Sequence, residues 1–103
     1  MTIRIVQLCI RPEWVKEFLS VFGEAAPHIR AFPGCIRLEL WRQADLDGGF
    51  ATCSHWENDD ALEAYRNSSL FKARWAAIKP MFAAKPRAYS YRRWGQKDTW
   101  TPK

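Results

Sequence analysis

Cysteine and histidine, two side chains that commonly bind metal ions, are scarce in this sequence. Its 103 residues include three cysteines (Cys9, Cys35 and Cys53) and two histidines (His28 and His55). They lie far apart, with no Cys-x-x-Cys pair and no Cys/His ligand spacing. Zinc sites and disulfide frameworks both need such spacings. We therefore predict no metal site, and three thiols that pack as small hydrophobic residues in a reducing compartment.

Long apolar runs and a signal sequence are also missing. No apolar run approaches the roughly 18 residues that a membrane span needs, and residues 1–5 lack the basic region and apolar block of a signal peptide. The sequence contains no Ser-His-Asp ordering, no paired carboxylates and no glycine-rich phosphate loop. We expect a soluble cytoplasmic protein with no membrane partner, and hydrolase, kinase and metalloenzyme functions find no support.

Acidic residues are rare at the C-terminal end, which carries the whole net charge of +5. Residues 1–84 hold ten basic and ten acidic groups, whereas residues 85–103 hold six basic groups and one acidic group. Arg92 and Arg93 lie between Tyr91 and Trp94, a combination that can stack on nucleic-acid bases. Charges that protect an edge strand from aggregation are the commoner explanation. We therefore expect no nucleic-acid partner.

Aromatic residues, in contrast, are abundant for a chain that is long enough for one domain. Six Trp, six Phe and three Tyr make up 15% of the sequence. A single small core does not easily hide so many large rings. We expect part of them to line a pocket or a surface that meets a partner.

Alternating and helical hydrophobic patterns predict seven elements in the order β-α-β-β-α-α-β. The predicted strands cover residues 2–10, 35–43, 50–57 and 88–94; the predicted helices begin at Pro12, at Asn58 and at Ser68 or Ser69, and the last one ends at Lys85-Pro86. This order describes an α+β fold of ferredoxin-like topology, a split βαβ unit with a four-stranded antiparallel sheet and helices on one face. We assign residues 1–95 to this domain and residues 96–103, with Trp100, to a polar C-terminal tail.

Three segments, residues 32–35, 38–40 and above all 54–82, carry a resemblance to a known family. They read Phe-Pro-Gly-Cys, Leu-Glu-Leu and SHWENDDALEAYRNSSLFKARWAAIKPMF. In these features the chain resembles the antibiotic biosynthesis monooxygenase family over residues 2–94. The resemblance implies a dimeric α+β barrel, in which a second copy covers the sheet face that the helices leave bare. The second strand fits this expectation, because Leu38 and Leu40 lie on one of its faces and Trp41 on the other.

The resemblance also implies a chemistry. Members of the family are known as oxygenases that use neither metal nor flavin and act on phenols, quinols or polyketide aromatics. Such a reaction needs a dry apolar pocket and one polar group that orients or deprotonates the substrate hydroxyl. We therefore predict a cofactor-independent monooxygenase, without any bound cofactor, that acts on a small electron-rich aromatic such as a quinol or phenol. The alternative is a non-catalytic ligand-binding or structural dimer, and the third possibility is a haem-binding or haem-degrading relative.

The positions of the relatives' histidines separate these alternatives. Tyr65 and Leu70 stand where many relatives carry a pair of histidines, and neither is a good base at neutral pH. Trp75 stands where the haem branch would carry an axial histidine, and its indole has no lone pair for iron. These replacements favour substrate ionisation over a protein base and disfavour haem binding.

Eight residues are our candidates for the site. Gln7 lies within the first strand, where relatives often carry a polar group that points into the pocket, and His55 is the only histidine in a predicted strand. We name Gln7, His55 and Tyr65 as catalytic candidates. The predicted pocket walls are Trp56, Leu70, Phe71, Trp75 and Phe82. A purely structural role, in the core or at the dimer interface, stays open for each of them.

Overall fold

Four strands and three helices make up the fold in the computed structural model, which describes residues 1–94. The strands are β1 (Thr2–Cys9), β2 (Cys35–Arg42), β3 (Gly49–Trp56) and β4 (Arg87–Tyr91), and the helices are α1 (Val15–Arg30), α2 (Asp59–Arg66) and α3 (Ser69–Ile78). Two three-residue 3-10 helices, Pro12–Trp14 and Lys79–Met81, precede α1 and follow α3. The predicted element order is confirmed.

The sheet has the strand order β2-β3-β1-β4, and all neighbouring strands are antiparallel. Helix α1 carries the chain from β1 to the edge strand β2, and β3 then returns between them. This insertion of β3 is the split βαβ arrangement. The predicted α+β class and ferredoxin-like topology are therefore confirmed.

The two helices after β3 begin at side-chain caps. The Asn58 side-chain oxygen accepts a hydrogen bond from the Ala61 backbone N–H at 2.8 Å, and the Ser68 hydroxyl accepts one from the Phe71 backbone N–H at 3.1 Å. Both bonds satisfy amides that have no partner inside the helix. Of the two serines that the sequence offered as the second cap, Ser68 is the one that the structure uses.

The end of the last helix and the bounds of the last strand differ from the prediction. Helix α3 ends at Ile78, before Pro80, and a 3-10 helix follows it. Proline lacks the N–H for a helical hydrogen bond and restricts the residue before it, so the α-helix stops earlier than Lys85-Pro86. Strand β4 covers Arg87–Tyr91. The predicted tail at residues 96–103, with Trp100, lies outside the described residues.

The core lies between one face of the sheet and the helices. Its main cluster of buried residues is Leu8, Ile10, Phe18, Phe50 and Met81. Because side chains alternate along a strand, the neighbours of these residues on β1 and β3 point to the other face, which we call the open face. It carries Ile3, Ile5, Gln7, Cys9, Arg37, Glu39, Trp41, Ala51, Cys53, His55, Arg87, Tyr89 and Tyr91. Trp41 is 46% exposed and Tyr91 52% exposed, so residues 1–94 leave this face uncovered.

Candidate functional site

A cavity of about 430 Å³ lies between the helix-covered face of the sheet and the three helices. Its size is within the range of roughly 300 to 1,000 Å³ that is typical of small-molecule sites. The lining residues come from all four strands and all three helices: Arg4, Val6 and Leu8 from β1, Leu38 from β2, Thr52 and Ser54 from β3, Phe18, Val21, Phe22, Ala25 and Ile29 from α1, Leu62, Tyr65 and Arg66 from α2, Phe71, Arg74, Trp75 and Ile78 from α3, and Pro86 and Ala88 at β4. Most of this lining is apolar.

The strand register makes one end of the cavity floor polar and the other apolar. At one end, Arg4 on β1 lies opposite Ser54 on β3 and Ser90 on β4. Further along β1, Leu8 lies opposite Phe50. Helix α2 follows directly after the end of β3 that pairs with the start of β1, so its residues lie near the polar end.

Tyr65 joins the cavity wall to a row of aromatic rings. Its ring stacks on Trp56, with centroids 4.9 Å apart, and lies 5.3 Å from Phe71. Phe71 in turn lies 5.7 Å from Trp75. Offset and tilted ring contacts at these distances are favourable. Tyr65, Phe71 and Trp75 thus give the cavity an aromatic side against which an aromatic ligand can pack.

The Tyr65 hydroxyl is uncharged at neutral pH and can donate a hydrogen bond. Burial, with a smaller contribution from Cys35, raises the pKa of Tyr65 to about 12. The side chain makes no hydrogen bond to another group of residues 1–94. A neutral phenol can donate a hydrogen bond to an anionic or carbonyl oxygen, but it cannot take a proton from a substrate. Tyr65 is therefore suited to orienting a ligand and not to deprotonating it.

Three arginines line the cavity, and sequence reasoning missed all of them. Arg4 and Arg74 are half-buried, whereas Arg66 is exposed. Burial and, secondarily, the charge of Arg66 lower the pKa of Arg4, against an opposite effect of Glu63. For Arg4, the sequence did contain a signal: side chains alternate along a strand, so Arg4 and Leu8 point to the same face of β1. Arg66 and Arg74 are sequence neighbours of Tyr65 and Trp75.

The structure does not bring the three catalytic candidates together. Gln7 and His55 occupy positions of the open face, on the other side of the sheet from the cavity. Gln7 is exposed, and the His55 Nε2 atom lies 3.7 Å from the Cys53 sulfur. Strand alternation is the reason, since Leu8 and Trp56, their neighbours in sequence, point to the helix side. Of the three candidates, Tyr65 alone lines the cavity, and a catalytic role for each stays a prediction.

The five predicted wall residues divide in a similar way. Phe71 and Trp75 line the cavity. Trp56 is fully buried beneath Tyr65, and its indole N–H donates to the Ser54 hydroxyl at 2.9 Å. Phe82 packs on Trp75, with centroids 5.4 Å apart, and does not line the cavity. Leu70 is half-buried and does not line it either.

Two features of other kinds are absent from residues 1–94. No helix in that range combines the length and the apolar character that crossing a membrane requires. The same range contains no group of three His, Cys, Asp or Glu side chains placed to hold a metal ion.

The sequence of residues 1–76 matches the family model for antibiotic biosynthesis monooxygenases. The chain belongs to this family. The resemblance first indicated by residues 32–82 is thereby confirmed. No match was found among curated protein sequences.

Solved structures from several organisms have the same fold. A candidate antibiotic biosynthesis monooxygenase from Caulobacter crescentus is 26% identical, with a TM-score of 0.83, over 87% of this chain and 86% of that one. SnoaB from Streptomyces nogalater, a cofactor-independent oxygenase solved as a point mutant, is 19% identical, with a TM-score of 0.81, over 93% and 95% of the two chains. A conserved protein from Methanosarcina mazei is also 19% identical, with a TM-score of 0.84 over 90% and 93%. Family and fold together support a monooxygenase-like function.

Proposed function

We propose that the cavity binds a small electron-rich aromatic, such as a phenol or quinol, and that the protein oxygenates it without a bound cofactor. The cavity itself is the observation that carries this proposal: an apolar space of about 430 Å³ with an aromatic side and few polar groups. Such a space can hold a flat ring and dioxygen away from water.

The substrate would supply the electrons. A phenol with a free para position and one O2 give a quinone and one water, so one oxygen atom enters the ring and the other leaves as water. The ring loses four electrons, and O2 accepts them. Ionisation of the phenol starts this reaction, because the phenolate is the better electron donor.

The arginines favour that ionisation. A positive charge near a bound phenol lowers its pKa, since it stabilises the phenolate. Arg4 and Arg66 lie at the polar end of the cavity, Arg4 on β1 and Arg66 next to Tyr65 on α2. A neutral Tyr65 can then donate a hydrogen bond to the phenolate oxygen. In this scheme solvent takes the proton and the protein needs no base.

The test is oxygen uptake with a panel of phenols and quinols, for the wild type and for Val21→Trp. Val21 lines the cavity, and an indole at that position fills much of the space. Leu19→Trp is the matched control, because Leu19 lies on the exposed side of α1. We expect oxygen uptake by the wild type and by Leu19→Trp, and no uptake by Val21→Trp. The melting temperature of each variant shows whether it is folded. Oxygen uptake that is equal in all three proteins would contradict the proposal.

One observation favours a second function, ligand binding without catalysis. None of the described residues that line the cavity is a base at neutral pH, since the polar ones are arginine, serine, threonine and Tyr65. A protein that saturates with a phenol in a binding titration but consumes no oxygen would have this function. The two measurements on one sample therefore separate the alternatives.

We also propose that a second copy of the chain covers the open face. Trp41 and Tyr91 are about half exposed on it, and Ile3 and Ile5 lie between them on the central strand. An exposed apolar and aromatic sheet face of this extent is typical of an interface. Light scattering is expected to give twice the chain mass of 12.0 kDa.

We further propose a cytoplasmic location. Cys9, Cys35 and Cys53 are all free thiols. Free thiols persist in reducing compartments and tend to pair in oxidising ones, which supports this location. Fractionation of cells that express the tagged protein tests it.

A further inference from the structure

The cavity has a strong imbalance of charge. Arg4, Arg66 and Arg74 line it, and none of its described lining residues is acidic. Arginine keeps its positive charge in proteins, so three cations surround a mostly apolar space. A carboxylate is the usual partner of a half-buried arginine, because an unpaired charge is costly to remove from water.

Residues 1–94 offer little that neutralises these charges. The Arg66 guanidinium donates to the Glu63 carboxylate at 3.3 Å, so these two residues form an ion pair. The Arg4 guanidinium donates to the Ser90 hydroxyl at 3.1 Å, which is a neutral partner. Arg74 makes no hydrogen bond or ion pair with a described residue. The charge of Glu63 acts on Arg4 as well, but neither Arg4 nor Arg74 forms an ion pair with a carboxylate of residues 1–94.

We propose that the ligand of this cavity is an aromatic acid, a ring that carries a carboxylate bound by Arg4, Arg66 and Arg74. The inference rests on the proposed function in that it concerns the same cavity, and it narrows the ligand from aromatics in general to anionic ones. The planar guanidinium fork matches a carboxylate in geometry and charge, which favours this group over a neutral amide or ester.

The floor of the cavity indicates how the acid is oriented. Arg4 lies at the polar end, opposite Ser54, and Leu8 lies at the apolar end, opposite Phe50. The carboxylate therefore points toward Arg4, and the ring extends toward Leu8. A hydroxyl ortho to the carboxylate stays at the polar end, where the proposed function needs the phenolate. In this position the ring passes along the aromatic row of Phe71 and Trp75. The reverse orientation would bury the carboxylate against apolar side chains and leave Arg4 without an ion-pair partner.

The experiment measures binding separately from oxidation. Tryptophan fluorescence of the full chain is titrated at neutral pH in oxygen-free buffer with para-hydroxybenzoate, para-hydroxybenzamide and phenyl phosphate. The first two probes differ mainly in the charge of one group. We expect the acid to bind at least about tenfold more tightly than the amide, an advantage that falls as salt is added.

Arg74→Met is the informative variant, because Arg74 has no bonded partner among residues 1–94 whose loss would disturb the fold. We expect it to weaken binding of the acid by about tenfold and to leave binding of the amide within about twofold. Arg30→Met removes the same charge from an exposed position outside the cavity and is the matched control. It is expected to bind both probes like the wild type.

The outcomes separate this inference from the proposed function. Equal binding of acid and amide, or an Arg74→Met variant that keeps the preference for the acid, overturns the inference even if neutral phenols are oxygenated. A preference for phenyl phosphate over the acid also overturns it, because it would assign a phosphate ligand. A preference for the acid that Arg74→Met abolishes supports the inference, and it does so even if no oxygen is consumed and the proposed oxygenation fails.

Discussion

The indole of Trp56 stacks on the ring of Tyr65, with ring centroids 4.9 Å apart and planes inclined by 24°. Trp56 is fully buried, whereas Tyr65 lines the cavity. The pair therefore connects the core directly to the cavity wall, and Phe32 lies against both rings. Because the core holds the tyrosine from behind, its position depends little on whether a ligand is bound.

Tyr65 gives the first prediction, a loss of stability at high pH. Its pKa in the folded protein is about 12, above the ordinary value of 10. The folded state thus holds this proton more tightly, and the resulting stability is complete below about pH 10 and is lost as the pH rises toward about 12. A shift of two pKa units limits this contribution to the free energy of unfolding to about 2.7 kcal/mol. The partial exposure of the side chain makes the contribution smaller.

Urea unfolding of the wild type and of Tyr65→Phe at about pH 9 and about pH 11.5 measures this effect, with the chosen values placed on either side of the ordinary tyrosine pKa. Other groups also titrate in that interval, so the comparison between the two proteins isolates Tyr65. We expect the wild type to lose more stability than Tyr65→Phe. An equal loss would mean that Tyr65 titrates normally.

Gly34 gives the second prediction. It has a φ of +88°, and a Cβ atom added there would lie within 2.4 Å of the Ala61 Cβ atom at the start of α2. Gly34→Ala therefore forces α2 away from the turn before β2, and we expect a cost above about 1 kcal/mol in the free energy of unfolding.

Gly23→Ala is the matched control. Gly23 lies inside α1, and an added Cβ atom meets nothing within 4 Å. Alanine is the better helix former, so this change is expected to stabilise the protein by about 0.5 to 1 kcal/mol. Thermal unfolding of the two variants should therefore shift in opposite directions from the wild type, and a shift in the same direction would count against the steric account.

Ser68 gives the third prediction. Its hydroxyl accepts from the Phe71 N–H at 3.1 Å and donates to the Tyr65 carbonyl oxygen at 2.6 Å, so one side chain connects α2 and α3. Ser68→Ala is expected to lower the free energy of unfolding by about 1 kcal/mol. Ser69→Ala, one position later and exposed, is expected to change it by less than about 0.5 kcal/mol. Urea unfolding that gives the two variants equal stability would exclude Ser68 as the cap.

Trp41 gives the fourth prediction, which concerns assembly. Trp41 is 46% exposed on the open face, whereas Trp14, 42% exposed, ends the 3-10 helix before α1 and is not one of the residues of that face. A glutamate in place of Trp41 would put an added charge into the proposed dimer interface, next to Glu39, whose carboxylate accepts from the Trp41 indole at 3.0 Å. We expect light scattering to show monomers for Trp41→Glu and dimers for Trp14→Glu. Dimers of both variants would assign the interface to another surface.

Local patterns in the sequence determined the elements and their order. A run rich in β-branched residues marked β1, alternation marked β2, spacing marked the helices, and Asn58 and Ser68 or Ser69 marked two helix starts. Strand propensity, periodicity and caps all depend on residues a few positions apart. The family followed from the same local segments. Pro80 was the local signal that the prediction overlooked when it extended the last helix to residue 85.

The tertiary structure decided which face of each strand meets the helices. Both faces of β1 carry apolar residues, so periodicity alone did not show that Leu8 points to the cavity and Gln7 away from it. The arginines of the cavity come from β1, α2 and α3, and they become neighbours only through strand register and helix packing. A sequence pattern shows the periodicity of a single helix or strand. The site depends on distances between residues of different elements, and these distances are set when the elements pack together.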